Sequence, residues 1–320
     1  MTYWLWWPAL LIALFCVPSH ADVHYQNCAQ QWTLPAPAQH ILVLNQHAAD
    51  VLIALGVSRQ VLGVAYIDDN LTGARQEHYL GIPVIAEQYP SAEAVYALHP
   101  DLIVGGFASA FGRGLLSRPD LATNGMASYL LDGACAQRAE RYFDGIERDL
   151  SILGQLVGQP DRAQALIAEQ RRELAKAHEL SKGHESLRVF YLDSLANGLD
   201  TQGGRGFISE LMEAAGARNP FDQVALSRFV VSPELLLAED PDVILLADAA
   251  WSPAAQKIAA LRANPLLSRL SAVREQRFVT LPFSHLIPGV HSAAAARRLA
   301  AALYGPEPCC SQRADPLPAH

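Results

Sequence analysis

Two stretches decide the fold, SAEAVYALHPDLIV at residues 91–104 and VSPELLLAEDPDVI at residues 231–244. Each combines a helix-forming segment, a Pro-Asp turn and an apolar strand, in the same order. Proline and aspartate are residues that turns favour, so either stretch alone would support no particular fold. Two copies, one in each half of the chain, predict that one α/β unit occurs twice.

The first half alternates short apolar runs with helical patterns from residue 40 onward. This alternation is typical of parallel strands that are buried on both faces. We predict one α/β lobe over residues 22–135, with strands at residues 41–44, 61–65, 83–85, 102–105 and 129–131.

Residues 136–182 contain no strand pattern and are rich in residues that favour helices. Gly158 suits the end of one helix and Pro160 the start of the next. We predict that residues 161–181 form a single helix of about 30 Å between the lobes. Strand patterns resume in a second α/β lobe over residues 183–305, at 188–192, 242–246 and 278–281, and a tail without periodicity follows at 306–320.

The N-terminal 21 residues contain no Asp, Glu, Lys or Arg and end in Ser19-His20-Ala21. Small residues at the two positions that a signal peptidase reads predict a cleaved leader and a periplasmic protein. A retained membrane anchor is the alternative. Pro8 argues against an anchor, because the apolar stretch that it interrupts is shorter than the ~20 residues that cross a bilayer.

Four cysteines remain after the leader, namely Cys28, Cys135, Cys309 and Cys310. An even number in an oxidising compartment predicts disulfides, and three pairings are possible. We favour Cys28 with Cys135, because a bond between adjacent cysteines needs unusual geometry. A zinc site is the competing interpretation, although no Cys-x-x-Cys spacing is present.

Together with HILVLNQHAADVLIALGV at residues 40–57 and VLGVA at residues 61–65, the two repeated stretches resemble the metal-chelate class of ABC-importer binding proteins. That class includes the ferric-siderophore and cobalamin binding proteins. The resemblance covers about residues 39–305 and implies a class III clamshell, in which one long helix holds two α/β lobes. It also implies a ligand between the lobes, at the carboxyl ends of the strands.

The resemblance implies that loops after the strands contact the ligand. Aromatic rings there offer wide, rigid contact area, and arginines suit an anionic chelate. Phe107 and Phe111 could instead be core residues, and Arg228, beside these loops, could be a solvated surface charge. The candidate ligand-binding residues are Asn45, Gln46, His47, Tyr66, Phe107, Ser109, Phe111, Arg113, Arg205, Trp251 and His285.

The same resemblance implies partners. In this class an exposed glutamate on each lobe meets arginines of the importer's membrane subunits, and the matching positions are Glu93 and Glu234. Both could instead be ordinary solvated carboxylates. We expect a monomer that binds one chelate and delivers it to the permease and ATPase subunits of an ABC importer.

A ferric siderophore is the favoured ligand, with a corrinoid or haem as the alternative. A second alternative is direct zinc or manganese binding, for which His47, His285 and His291 would have to converge. No Gly-x-Ser-x-Gly or His-Glu-x-x-His pattern indicates an enzyme, and no cofactor is expected beyond the transported chelate. The formal net charge of −8 and the absence of a basic run argue against a nucleic-acid partner.

Overall fold

The structure is a computed structural model, and it describes residues 22–69, 77, 79–112 and 116–306. The predicted leader, Arg113, Cys309 and Cys310 lie outside these residues. Within the described part of the chain, no helix is long and apolar enough to cross a membrane.

The first lobe is built on a five-stranded parallel sheet with strand order β5-β4-β3-β6-β7. An antiparallel hairpin, which the sequence analysis did not predict, precedes the sheet. The hairpin strands are β1 (Val23–Asn27) and β2 (Gln30–Leu34), and the sheet strands are β3 (Ile41–Val43), β4 (Val61–Ala65), β5 (Val84–Ala86), β6 (Leu102–Gly105) and β7 (Ala127–Leu130). Its helices are α1 (Gln46–Ala54), α2 (Ala92–Leu98) and α3 (Arg118–Thr123).

Two helices follow the first lobe, α4 (Tyr142–Leu156) and α5 (Pro160–Ser181). Gly158 has a φ of +71° between them, and Pro160 occupies the first turn of α5, where its missing N–H leaves no intrahelical bond unmade. The 22 residues of α5 give a length of about 33 Å. This helix links the lobes, as predicted.

The second lobe contains a three-stranded parallel sheet in the order β12-β11-β8 and a separate antiparallel pair, β9 and β10. Its strands are β8 (Val189–Leu192), β9 (Leu199–Thr201), β10 (Phe229–Val231), β11 (Val243–Asp248) and β12 (Phe278–Pro282). Its helices are α6 (Phe207–Ala214), α7 (Pro233–Glu239), α8 (Ala254–Ala263), α9 (Ser271–Arg274) and α10 (Ser292–Tyr304). The predicted two-lobe α/β architecture is confirmed.

The two repeated stretches, residues 91–104 and 231–244, form helix-turn-strand units with the same local structure. Ser91 caps α2 and Ser232 caps α7, each hydroxyl accepting a hydrogen bond from a backbone N–H in the first turn. Each helix ends at a left-handed residue, His99 with a φ of 47° and Asp240 with a φ of 37°. A Pro-Asp pair and a buried strand follow in both lobes.

The aspartate of each turn anchors the strand that begins its own lobe. The carboxylate of Asp101 accepts hydrogen bonds from the backbone N–H groups of Gln39 and His40, directly before β3. The carboxylate of Asp242 accepts one from the backbone N–H of Arg188, directly before β8, at 2.7 Å. The repeat therefore places the ends of equivalent strands in the same way in both lobes.

The hairpin is attached to the edge of the first sheet. A disulfide joins Cys28 to Cys135, the pairing that the sequence favours, with an S–S distance of 1.98 Å. The Asn27 amide exchanges two hydrogen bonds with the backbone of Leu130, and the Tyr25 hydroxyl donates to the carbonyl of Ser128. Backbone groups at the β7 edge are thereby satisfied.

Candidate functional site

Loops that follow strands of both sheets meet between the lobes and enclose a cavity of about 280 Å³. Parallel α/β sheets place ligands at the carboxyl ends of their strands, which makes this cleft the candidate site. Its lining includes His47, Phe107 and Leu131 from the first lobe and Gln202, Arg228 and Pro288 from the second.

Asn45, predicted as a ligand contact, is fully buried and uses its amide within the protein. Its Oδ1 accepts hydrogen bonds from the backbone N–H groups of Gly106 and Phe107, at 2.9 and 3.2 Å, and its Nδ2 donates to the Tyr89 hydroxyl. Asn45 therefore holds the loop after β6 in place, and it shapes the cleft without lining it.

Gln46, also predicted as a ligand contact, has a comparable role toward the loop after β4. Its Oε1 accepts hydrogen bonds from the backbone N–H groups of Asp68 and Asp69, both at 2.9 Å. Its Nε2 donates to the carboxylate of Asp69. The buried amide therefore fixes the two acidic residues relative to the start of α1.

His47 lines the cleft and packs its ring 4.6 Å from the ring of Phe107. The absence of a side chain at Gly106 makes this possible, because a Cβ there would lie 2.2 Å from Nε2 of His47. Burial lowers the pKa of His47 to about 4. A hydrogen bond with the backbone of Gly106 has the opposite, smaller effect on this pKa. The ring is thus neutral at neutral pH.

Aromatic residues after three strands form one wall near the cleft. The Tyr66 ring lies 5.2 Å from that of Tyr89 and 6.4 Å from that of Phe107. The Tyr89 and Ser109 hydroxyls share a hydrogen bond of 2.8 Å. The structure therefore brings together the predicted residues Tyr66, Phe107 and Ser109, and it adds Tyr89, in the loop after β5, which was not predicted.

Phe111 does not belong to this wall. Its ring packs into the apolar cluster behind the sheet, against Gly105 and within 5.7 Å of the Arg118 guanidinium. The alternative of a core position therefore describes Phe111 better than the predicted ligand platform, because the short helical turn after Phe107 rotates the two rings to different sides.

Arg205 is exposed and does not line the cavity. Its backbone carbonyl accepts a hydrogen bond from the hydroxyl of Tyr142, which lines the cleft at the start of α4. The backbone of Arg205 thus ties the second lobe to the connector, and its side chain does not line the ligand space.

Arg228 supplies the guanidinium of the cleft, and it is already bound to carboxylates. It contacts Asp193 and also forms a hydrogen bond of 3.0 Å from Nε to Asp200. Burial raises the pKa of Asp193, and the charge of Arg228 opposes that shift. Two carboxylates therefore orient the guanidinium and offset its charge, which leaves it a hydrogen-bond donor more than a free cation.

Trp251 reaches from the second lobe to the first. Its Nε1 donates a hydrogen bond of 3.1 Å to Oδ1 of Asp68, and the backbone N–H of Ala250 donates to the carbonyl of Asp68 at 2.9 Å. Burial raises the pKa of Asp68 to about 6. The hydrogen bond from Trp251 has the opposite, smaller effect on this pKa. The ring of Phe283 supports the indole from the side, at 5.5 Å.

His285 lies in a different place from the other candidates. It lines a larger cavity, about 760 Å³, between α1, α5, α10 and the loop after β12. Its ring stacks on that of His291 at 4.5 Å, and His291 is 3.4 Å from the carboxylate of Asp50. This larger cavity is lined mainly by side chains of α1, α5 and α10, with Gln46 and Pro282 at strand ends, whereas the cleft is lined by loops after β3, β6, β7 and β12, which makes the cleft the better candidate site.

The alternative of direct metal binding has no support in the described residues. No three His, Cys, Asp or Glu side chains there are placed to hold a metal ion together. His47 packs against Phe107 in the cleft, whereas His285 and His291 face the cavity beside α5. The three histidines thus do not converge.

Glu93 and Glu234 occupy equivalent positions in the first turns of α2 and α7, and both are exposed. Neither lines the cleft. Their role in docking stays a prediction.

The sequence profile of the family described as "Periplasmic binding protein" matches residues 41–284, more than half of the chain. The chain belongs to this family. The matched segment begins at β3 and ends in the loop after β12, so it includes both parallel sheets and the connecting helix of this periplasmic binding protein.

Several relatives of this periplasmic binding protein are named for the ligands that they bind. A protein of Halobacterium salinarum named cobalamin-binding protein is 27% identical over 221 residues, which cover 67% of this chain and 55% of that protein. The chain thus spans about half the length of that relative. The Fe(3+) dicitrate-binding periplasmic protein FecB of Escherichia coli is 26% identical over 299 residues, which cover 91% of this chain and 93% of FecB.

The fold has a close counterpart among solved structures. A periplasmic binding protein from Veillonella parvula superposes with a TM-score of 0.77, covering 89% of this chain and 98% of its own, at 22% identity. The relatives are named as binding proteins and not as enzymes, in agreement with the prediction from the sequence.

Proposed function

We propose that this protein captures a ferric siderophore in the cleft between its lobes and delivers it, in the periplasm, to an ABC importer. The observation that carries the proposal is the cleft, where aromatic rings and oriented hydrogen-bond donors from both lobes surround one space. Phe107, Tyr142 and Phe207 offer ring surface, and two carboxylates orient the guanidinium of Arg228. Such a surface suits an oxygen-rich chelate with flat ligand groups.

The size of the cleft favours a compact chelate. Its volume of about 280 Å³ lies just below the ~300–1,000 Å³ that is usual for small-molecule pockets. A corrinoid or haem would require the lobes to move apart. The name of FecB, whose length this chain covers almost completely, also supports a small ferric chelate.

Cobalamin is the second candidate, because the Halobacterium relative is named for it. The arrangement of the cleft argues against it as first choice, since a corrinoid is several times larger than the enclosed space. Both candidates share the delivery step, in which Glu93 and Glu234 would contact the permease. If the importer has two similar membrane subunits, each subunit can contact one of these two carboxylates, because each lobe carries one of them.

Calorimetric titration with ferric dicitrate, a ferric hydroxamate, a ferric catecholate, haem and cyanocobalamin tests the proposal. One ferric siderophore should bind at one molecule per chain, with a Kd in the micromolar range or lower. Phe107→Ala should weaken that binding about tenfold or more, because burying an aromatic ring against a ligand is worth roughly 1.5–3 kcal/mol. Tyr96→Ala, on the outer helix α2, is the matched control and should leave affinity unchanged.

Two results would contradict the proposal. Saturable binding of haem or cyanocobalamin without binding of any ferric siderophore would show that the protein captures that ligand instead. Tight binding of zinc without a chelator would indicate direct metal capture.

A further inference from the structure

The contact between Trp251 and Asp68 joins the two lobes beside the cleft, in loops that follow strands but do not line it. Asp68 belongs to the loop after β4 of the first sheet, and Trp251 to the loop after β11 of the second. One bond is made by the indole Nε1 and one by the backbone N–H of Ala250, both to Asp68. The separation of the lobes at this point is therefore fixed by a pair of hydrogen bonds.

The acceptor side of this contact is rigid. Asp68 is only 4% exposed, and its backbone N–H is held by the Gln46 amide. Its second carboxylate oxygen is buried and makes no hydrogen bond within the described residues. A hydrogen-bond donor that reaches this carboxylate stabilises it, because burial has removed the water that would otherwise solvate the carboxylate.

The donor side is more easily displaced. Trp251 is 51% exposed, and its ring packs against that of Phe283 with 5.5 Å between the ring centroids. An indole that is half in solvent can leave its partner without creating a cavity in the core. The hydrogen bond to Asp68 is thus the specific interaction that holds the ring of the second lobe against the first lobe.

We propose that Trp251 and Asp68 determine the largest chelate that the cleft accepts. This inference rests on the proposed function. With the contact made, the cavity between the lobes has a volume of about 280 Å³, and the contact acts on it by setting the separation of the lobes and not by lining it. A chelate that fits this space binds without moving the lobes. A larger chelate must first break the contact, so its binding free energy is reduced by the free energy that breaking the contact costs.

Three variants separate the hydrogen bond from the shape of the residues. Trp251→Phe keeps an aromatic ring and removes the donor, and Asp68→Ala removes the acceptor. Asp68→Asn is the conservative variant, since its amide oxygen can still accept from the indole. Trp32→Phe, a tryptophan on β2 remote from the cleft, is the matched control.

The first measurement needs no ligand. In ¹⁵N-tryptophan spectra, the indole signal of Trp251 is identified by its loss in Trp251→Phe. Its hydrogen exchange should be about tenfold faster in Asp68→Ala than in the wild type, and close to the wild-type rate in Asp68→Asn. Equal exchange rates in the wild type and Asp68→Ala would overturn the proposal, because the bond would not hold the indole.

The second measurement compares affinities for ferric dicitrate, as the compact probe, and haem, as the bulky one. In Trp251→Phe and Asp68→Ala the affinity for haem should rise and that for ferric dicitrate should fall, changing their ratio about tenfold or more. Asp68→Asn and Trp32→Phe should keep the wild-type ratio. Parallel changes for both probes would overturn size selection while leaving chelate binding intact, whereas a wild type that binds neither probe nor any other ferric siderophore would refute the proposed function.

Discussion

Acid should destabilise this protein through His47, whose ring is buried and neutral. The folded protein lowers the pKa of His47 from its ordinary value of 6.5 to about 4. Between these values the unfolded chain binds a proton that the folded chain does not. Stability is therefore complete above pH 6.5 and is lost as the pH falls toward 4.

The size of the effect follows from the two pKa values. At 1.36 kcal/mol per pKa unit, the full shift corresponds to roughly 3 kcal/mol, of which about 2 kcal/mol is lost at pH 5. The buried carboxyls act in the opposite direction. Burial raises the pKa of Asp68 to about 6 and that of Asp149 to about 8, so these groups favour the folded state as the pH falls.

A comparison of variants isolates the histidine from these carboxyls. His47→Phe keeps a flat ring against Phe107 and cannot be protonated. Urea unfolding at pH 7.5 and pH 5 should show that the wild type loses about 2 kcal/mol more than the variant does. His178→Phe, at an exposed position on α5, is the control and should behave like the wild type. If His47→Phe and the wild type respond equally to pH, His47 is not held neutral by burial and this account of the cleft wall is wrong.

Asn45→Ala should destabilise the protein by about 2–4 kcal/mol in urea unfolding, because two buried backbone N–H groups lose their acceptor; a loss below ~1 kcal/mol would mean that solvent replaces the amide. Replacing Cys28 and Cys135 together by serine should cost about 2–5 kcal/mol, measured against the oxidised wild type, and equal stability of the two would contradict a structural bond. Reversing Glu93 and Glu234 to arginine should leave chelate affinity in solution unchanged and abolish importer-dependent uptake; normal uptake by the double variant would remove both residues from the docking surface.

The architecture could be predicted because local sequence signals and tertiary structure agree. The repeated Pro-Asp turns mark equivalent positions, and the carboxylates of Asp101 and Asp242 make equivalent bonds there. Helix α5 was predictable from composition and from its proline start. The hairpin and the β9–β10 pair were missed, since short antiparallel strands at a sheet's margin carry little periodic signal.

The site could be predicted only in part. Asn45 and Gln46 are polar residues after a strand, and from sequence a buried amide that binds backbone looks the same as one that contacts a ligand. The roles of Asp68 and Trp251 depend on the distance between lobes, which no local pattern encodes. The position of His285, beside α10 and in the larger cavity, is likewise set by tertiary structure and not by a local sequence pattern.

Native mass spectrometry of the protein purified from the periplasm of iron-limited producing cells tests the central claim most directly. The account predicts a complex with one small molecule per chain that carries iron and that is released when the lobes unfold. A complex with haem or a corrinoid, or a chain that carries only zinc, would contradict it.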